Sequence, residues 1–480
     1  MFPGPGPSGH VPGACAVGWA KRGVGAVVQA ARWRLVSLLA CGVVLLAVVL
    51  ALCGAPPGGR GRDGGTSGPA GTALGWGFTH TEASADEGEA EARRRAGALL
   101  KKTGLPQNQH LMGWGADNPE PAPGRYDFAS LDRRVALMRR STDTPVLTLC
   151  CAPDWMKKGG SAGRTDWSEL ETAPAPEHFD DFAALAGKVA RRYPQIRHFL
   201  VWNELKGFYD DGAHRWDQEG YTRLYNLVYT ELKKVDPGIR VGGPYVVMDS
   251  VAEDDHNASD VTGPWGALDR RAVAALRYWN RHRKGADFVV VDGSSYTADD
   301  RLVPGAFTAT EKLTDVSRWV RRETGLPLWW AEWYVEPGDE DDRRAGWSEA
   351  RRTAVQAAAL IALARGGTDT AFYWNPQTRT RDCPGCLWSS TRFRDGGAEL
   401  PMMRLLARFA REFPPGTRFA GVRAGSGVRA LAAAGDGGAD GDGDVATVLV
   451  VNTRARHTRT EVAGRTVALD PYEVRWLGTR

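Results

Sequence analysis

Two short stretches decide the fold: FLVWNE at residues 199–204 and LWWAEW at residues 328–333. Each is an apolar run with a glutamate at or next to its carboxyl end. A continuous apolar run of this length is typical of a parallel strand that is buried on both faces. A carboxylate is costly to bury there unless it faces a ligand at the mouth of the sheet. We therefore expect Glu204 and Glu332 to be functional residues at two strand ends.

Strand and helix patterns alternate around these two stretches, which predicts a (β/α)8 (TIM) barrel of the α/β class over residues 74–412. The predicted strands are 74–81, 109–114, 145–152, 196–204, 240–247, 286–296, 326–334 and 370–375. The predicted helices are 89–102, 128–140, 177–192, 219–235, 265–283, 309–323, 351–365 and 402–409. The alternative, a doubly wound sheet, needs a glycine-rich phosphate loop after the first strand. The sequence GWGFT at 75–79 is not such a loop.

The two ends of the chain differ from the barrel region in composition and in sequence pattern. Short alternating runs after Pro415 predict a small, β-sandwich-like antiparallel domain over 413–480. Residues 1–34 are basic and rich in glycine and proline, so we expect a disordered cytoplasmic leader. Residues 35–53 carry no charge and predict a transmembrane helix, either a signal anchor or a signal peptide, followed by a flexible spacer at 54–73. The expected location is the cell membrane, single-pass with the catalytic domain outside, or secretion if the segment is cleaved.

Bulk composition restricts the function. Lys plus Arg number 61 and Asp plus Glu 57, a balance that argues against a nucleic-acid partner. Tryptophan is abundant, with 18 residues, and aromatic faces are surfaces on which sugar rings stack. The histidines lack metal-ligand spacing, so we expect neither a metal nor another cofactor. Cys383 and Cys386 are expected to form a disulfide that locks a loop, rather than a redox motif.

A pair of carboxylates at the mouth of a barrel is suited to the cleavage of glycosidic bonds. One acid protonates the leaving oxygen, and the second carboxylate attacks the sugar or activates water. Reactive residues of (β/α)8 barrels lie at the carboxyl ends of the strands, as Glu204 and Glu332 are predicted to do. Asn203 directly precedes Glu204 and can hydrogen-bond the sugar 2-hydroxyl, where contacts strengthen in the transition state.

The motifs WNE at 202–204 and WAEW at 330–333 resemble the signatures of clan A of the glycoside hydrolases. The segment PGRYDF at 123–128 is similar to a stretch after strand two in family 39 of that clan, which contains β-xylosidases and α-L-iduronidases. The resemblance implies a retaining enzyme that acts on an oligosaccharide or polysaccharide, with Glu204 as acid/base and Glu332 as nucleophile. It also implies carboxyl groups about 5–5.5 Å apart.

The same resemblance assigns roles to Tyr296 and Trp374, and the positions of His80, Trp114 and Trp155 indicate three further substrate contacts. Tyr296 would bond Glu332 and hold it ionised, so that the nucleophile titrates below the acid/base. Trp374 would form a platform beneath the reacting sugar. His80 would bond a sugar hydroxyl, although a single histidine is as often structural. Trp114 and Trp155 would line subsites.

One departure and two alternatives stay open. The sequence Ser294-Ser295-Tyr296 lacks the histidine that family members often carry before this tyrosine, which weakens a xyloside assignment. A cell-surface transglycosylase or endo-glycanase of the same clan uses the same two carboxylates. A non-catalytic carbohydrate-binding protein would keep the tryptophans but would not need both glutamates.

Overall fold

The computed structural model describes residues 74–163, 165–337, 346–435 and 445–478, and its centre is a closed barrel of eight parallel strands. The strands are β1 (Trp76–Thr79), β2 (Gln107–His110), β3 (Pro145–Leu149), β4 (His198–Val201), β5 (Arg240–Val247), β6 (Phe288–Ser294), β7 (Leu328–Tyr334) and β8 (Thr370–Tyr373). They follow one another around the barrel in chain order, and β8 pairs with β1. The predicted (β/α)8 barrel is confirmed.

Helices connect the strands around the outside of the barrel. They are α1 (Ala90–Thr103), α2 (Ala129–Arg139), α3 (Phe179–Arg192), α4 (Gln218–Val235), α5 (Arg270–His282), α6 (Glu311–Thr324), α7 (Glu349–Gly366) and α8 (Pro401–Glu412). Local chemistry sets their ends. The Ser348 side chain accepts a hydrogen bond from the Arg351 N–H at the start of α7, and Gly367 ends that helix in the left-handed conformation (φ 81°).

The barrel interior is filled by side chains from alternate positions of the strands. Trp329 of β7 stacks on Phe288 of β6, with ring centroids 3.8 Å apart. The neighbouring Trp330 points outward, where its indole N–H donates to Ser317 Oγ of α6 at 3.0 Å. Large interior side chains therefore close the barrel as a packed core.

Two β-bulges change the direction in which side chains point at the mouth of the barrel. Along β6, Val290 pairs with Pro244 and the next residue pairs with Val246, so Tyr245 is an extra residue in β5. A matching shift between Val291 and Asp292 leaves an extra residue in β7, directly before Glu332. Because side chains alternate along a strand, each bulge turns the following residues to the other face.

A smaller antiparallel sheet follows the barrel. It joins β9 (Phe419–Ala420), β10 (Val428–Ala434), β11 (Val445–Asn452) and β14 (Val474–Gly478), while β12 (Thr458–Val462) and β13 (Arg465–Leu469) form a separate hairpin. The Trp76 indole N–H donates to the Phe413 carbonyl at 2.8 Å, and the Arg429 guanidinium pairs with Glu311 of α6 at 3.0 Å. The division between domains at 412 and 413 stays a prediction.

Short strands are inserted in the connections after β4 and β5: Tyr209–Asp210 with Arg215–Trp216, and Ser250–Val251 with Ala258–Gly263 and Gly266–Asp269. The predicted leader at 1–34, membrane segment at 35–53 and spacer at 54–73 lie outside the described residues. Within the described ranges, no helix combines the length and apolarity needed to cross a bilayer. Cys383 and Cys386 are disulfide-bonded, and Cys150 with Cys151 form a second disulfide that the sequence analysis did not anticipate.

Candidate active site

Glu204 lies on a sharply turned segment directly after β4. Three non-glycine residues there have left-handed backbones: Trp202 (φ 68°), Glu204 (φ 50°) and Leu205 (φ 53°). Each such conformation costs about 1–3 kcal/mol and persists mainly at functional sites, where the surroundings over-determine it. The buried Trp202 indole fixes the turn by donating to the Lys206 carbonyl at 2.8 Å. The fold thus holds the Glu204 carboxyl group, which is 7% exposed, at the barrel mouth.

Glu332 lies on β7, directly after the bulge, and is 4% exposed. The hydroxyl of Tyr245, the extra residue of β5, donates to Glu332 Oε1 at 2.7 Å. The role predicted for Tyr296 is therefore filled by Tyr245, because the β5 bulge turns this residue toward the nucleophile position. Tyr296 itself lies two residues beyond β6, with its ring 5.7 Å from that of Tyr334.

A third carboxyl group completes the cluster. Asp292 of β6 is fully buried and is the register partner of Glu332 in the ladder. One oxygen from each of Glu204, Asp292 and Glu332 lies within 4.8 Å of the other two. The sequence analysis missed Asp292, although a single acid inside the apolar strand FVVVDGS is a signal of the same kind as the two glutamates.

Lys206 supplies the positive charge beside this cluster. Its Nζ atom is 3.0 Å from Glu204 Oε2, and it also pairs with Glu171. The ammonium lies 5.5 Å from the centroid of the Trp114 ring. The predicted subsite residue Trp114 is thus close to the acid/base candidate.

The electrostatics of the cluster reverse the predicted order of titration. Burial raises the pKa of Glu204, but the Lys206 ammonium and a hydrogen bond from Asp292 outweigh it and hold that pKa below its ordinary value. Burial and the Glu204 charge raise the pKa of Glu332 to about 8. Burial and the neighbouring glutamates raise the pKa of Asp292 well above its ordinary value. In the free protein these contacts favour a proton on Glu332 over one on Glu204, the reverse of the predicted order, because Lys206 lies beside Glu204.

Asn203 and His110 lie beside the same cluster of carboxyl groups. Asn203 is buried, and its Oδ1 atom has no hydrogen-bond partner among the described residues. His110, the last residue of β2, contacts Asn203, and its Nε2 atom is 3.9 Å from Glu332 Oε1. Burial, helped by Lys206, lowers the pKa of His110 to about 3, so its imidazole is neutral. The sequence analysis considered His110 only as a metal ligand and missed this position.

The other predicted contacts differ in outcome. His80 is fully buried, and its ring nitrogens are bonded to Ser84 Oγ at 2.7 Å and Gln107 Oε1 at 3.0 Å. A sugar hydroxyl would have to replace one of these bonds, which argues against the predicted substrate contact of His80. Trp155 donates to the Glu120 carbonyl at 2.8 Å in the connection after β3, and Trp374 directly follows β8. Both stay predicted contacts.

A carboxylate triad is also a donor set that hard cations favour. Here Lys206 already provides a positive charge against Glu204, and the Tyr245 hydroxyl occupies Oε1 of Glu332. These contacts fit a proton-transfer site better than an all-carboxylate metal cage.

Comparison with known proteins supports the interpretation of the motifs. No protein-family model matches the chain. The chain is similar to a β-xylosidase of Caldicellulosiruptor saccharolyticus, with 27% identity over 135 residues, which is 26% of each protein. It thus spans about a quarter of the length of that curated relative.

Solved structures extend the likeness over the barrel. A family 39 glycoside hydrolase from Bacteroides cellulosilyticus WH2 superposes with a TM-score of 0.54 at 15% identity, covering 84% of this chain and 80% of that one. A conserved exported protein from Bacteroides fragilis gives a TM-score of 0.59 at 11% identity, covering 84% and 97%. The chain resembles the family 39 glycoside hydrolases. At these identities the structural likeness establishes the fold, and the activity has to be argued from the site.

Proposed function

We propose that this protein is a retaining glycoside hydrolase that cleaves O-glycosidic bonds by a two-carboxylate, double-displacement mechanism. The observation that carries the proposal is the approach of a Glu204 oxygen to within 4.8 Å of a Glu332 oxygen at the carboxyl end of the barrel. Retaining enzymes hold the two carboxyl groups about 5–5.5 Å apart, whereas inverting enzymes separate them by about 6.5–9.5 Å to admit a water molecule.

In the first step, Glu332 attacks the anomeric carbon while Glu204 gives its proton to the leaving oxygen. The glycosidic bond breaks, and an ester forms between Glu332 and the sugar. In the second step, Glu204 removes a proton from water, and the resulting hydroxide displaces Glu332. Each cycle returns one proton to Glu204 and restores the Glu332 carboxylate.

The resting electrostatics are compatible with these roles. In the free site, Glu204 is ionised and Glu332 carries the proton. The reaction needs the proton on Glu204 and an ionised Glu332. The total number of protons is therefore the same, and one proton has to move from Glu332 to Glu204. A glycosidic oxygen that hydrogen-bonds Glu204 competes with the Lys206 ammonium for this carboxyl group. Substrate binding therefore weakens the ion pair that keeps Glu204 ionised, and it favours the reactive arrangement.

The substrate we propose is an oligosaccharide or polysaccharide with a β-xyloside-like terminal sugar. The partial similarity to a β-xylosidase supports this class. Trp114 beside Lys206 and Trp374 after β8 supply aromatic faces for sugar rings. Asn203 offers a buried oxygen next to Glu204 for a sugar hydroxyl, and this oxygen has no hydrogen-bond partner in the part of the chain that the structure describes. From the uncharged segment 35–53 we also propose that the barrel works outside the cytoplasm, anchored or released.

The test is hydrolysis of a panel of p-nitrophenyl glycosides by the full chain and three variants. We expect turnover of at least one β-glycoside, and E332Q and E204Q should each lower kcat by at least about 100-fold, since acid–base assistance alone contributes about 10²–10⁴. The control is E349Q, which removes an exposed glutamate at the start of α7. If both active-site variants turned over like E349Q, the proposal would be refuted.

A further inference from the structure

Asp292 has an environment unlike that of the other two acids. Both of its carboxyl oxygens are buried, and within the described ranges no N–H or O–H donor reaches either of them. One of its carboxyl oxygens lies within 4.8 Å of a Glu204 oxygen. Two carboxyl groups this close can hydrogen-bond each other only when one of them carries a proton, because a carboxylate has no donor.

The partners decide which acid carries it. Glu204 is paired with the Lys206 ammonium at 3.0 Å, and Glu332 accepts from the Tyr245 hydroxyl at 2.7 Å. Three buried carboxylates within 4.8 Å of one another cannot all ionise, because burial and mutual repulsion both oppose it. Asp292, whose charge is stabilised by no hydrogen-bond donor among the described residues, is the residue that keeps a proton.

We propose that Asp292 is a positioning residue that stays protonated at neutral pH and donates its O–H to Glu204, fixing the acid/base carboxyl group toward the leaving oxygen. The inference rests on the proposed function and extends it, because it assigns Asp292 a role distinct from those of nucleophile and acid/base. The Asp292 proton is not consumed. The proton delivered to the leaving group comes from Glu204 and returns from water.

The groups around Asp292 come from every neighbouring element. They are Glu204 and Lys206 after β4, Tyr245 on β5, Glu332 and Tyr334 on β7, and Lys312 on α6. Deprotonation of Asp292 would add a charge beside the two catalytic glutamates and remove the only O–H that it can offer. Activity should therefore fall at alkaline pH for two reasons, the loss of the one proton that Glu332 and Glu204 share and the loss of the Asp292 proton.

Two substitutions separate positioning from simple packing. D292N keeps the size and an N–H donor but cannot ionise, whereas D292A removes the donor. We expect D292A to lower kcat by about 10- to 100-fold, as for loss of a hydrogen bond to a charged group, and D292N to recover most of that loss. The alkaline limb of the D292N pH profile should be less steep than that of the wild type. Equal kcat values for D292A and D292N, with both variants folded by circular dichroism, would overturn the proposal.

A direct readout does not depend on turnover. Infrared difference spectra of wild type minus D292N at neutral pH should show the C=O stretch of a protonated carboxylic acid. The control is D260N, which removes an exposed carboxyl group between β5 and α5 and should leave this band in place. Absence of the band would refute a protonated Asp292 even in an active enzyme. A band in a protein that hydrolyses no glycoside would leave Asp292 protonated and refute the proposed function instead.

Discussion

Replacing Lys206 with methionine should move the whole pH profile of kcat/KM to higher pH. Methionine keeps a long apolar side chain but removes the ammonium 3.0 Å from Glu204 Oε2. In the account above, the active form of the site carries two protons on three carboxyl groups. Loss of one of these two protons causes the fall of kcat/KM at alkaline pH. Binding of a third proton to the three carboxyl groups causes the fall at acid pH. A cation beside the cluster lowers both apparent pKa values, so its removal raises both.

The size of the shift follows from the ion-pair distance. Two unit charges 3.0 Å apart interact by ~1.4 kcal/mol at the dielectric constant of water and by ~5.5 kcal/mol at an effective dielectric constant of 20. Lys206 is partly exposed, with 21% of its side chain accessible, so the lower part of this range applies. Since about 1.4 kcal/mol corresponds to one pKa unit, we expect a shift of at least about one pH unit.

The assay is the pH dependence of kcat/KM on an activated aryl glycoside, with K233M as the matched control. Lys233 of α4 also pairs with a carboxylate, Asp287 at 2.8 Å, but that pair lies before the start of β6, at the opposite end of the strand from Asp292. K233M should therefore leave the profile in place. A K206M profile that coincides with the wild type, or that moves to lower pH, would refute the electrostatic reasoning.

Three further outcomes follow from the same contacts. Y245F removes the hydroxyl that donates to Glu332 at 2.7 Å, so the pKa of Glu332 should rise above about 8. The value of kcat/KM should fall about 10-fold or more. An unchanged pH–rate profile would argue against this bond. E204A should regain activity on an activated aryl glycoside when azide is added, and mass spectrometry should identify the product as the glycosyl azide. Lack of rescue by azide would count against Glu204 as the acid/base. R134L removes the fully buried guanidinium that pairs with Asp86 at 2.9 Å and donates to the Thr81 and Glu82 carbonyls. It should lower the free energy of unfolding by about 3–5 kcal/mol in urea denaturation, whereas a loss under about 1 kcal/mol would contradict this role.

The barrel could be predicted from the sequence because its strands are apolar runs bounded by turn signals. All eight predicted strands overlap the observed ones, and Glu204 and Glu332 lie at the mouth as their strand-end positions predicted. The bulges could not be predicted, because a one-residue register shift leaves no mark on an apolar pattern. The exchange of Tyr296 for Tyr245 as the partner of Glu332 follows directly from the β5 bulge.

Other differences from the sequence-based expectations have tertiary causes. His80 does end the first strand region, but its partners Ser84 and Gln107 come from the following loop and from β2, so its nitrogens are satisfied internally. The reversed titration order depends on Lys206, which is two residues from Glu204 in the chain but reaches it only because of the left-handed turn. Sequence patterns identify the strands and the acidic residues at their ends. The order in which these acids titrate depends on the positions of the neighbouring charges, which only the structure gives.

The most direct test of the central claim is mass spectrometry of the protein after exposure to activated 2-deoxy-2-fluoro glycosides, which form slowly hydrolysed esters with a retaining nucleophile. We expect a mass increment of one fluoro-sugar, mapped by peptide sequencing to Glu332 and absent from E332Q. Turnover of glycosides without any such adduct, or an adduct on a residue other than Glu332, would contradict a retaining mechanism built on this pair of glutamates.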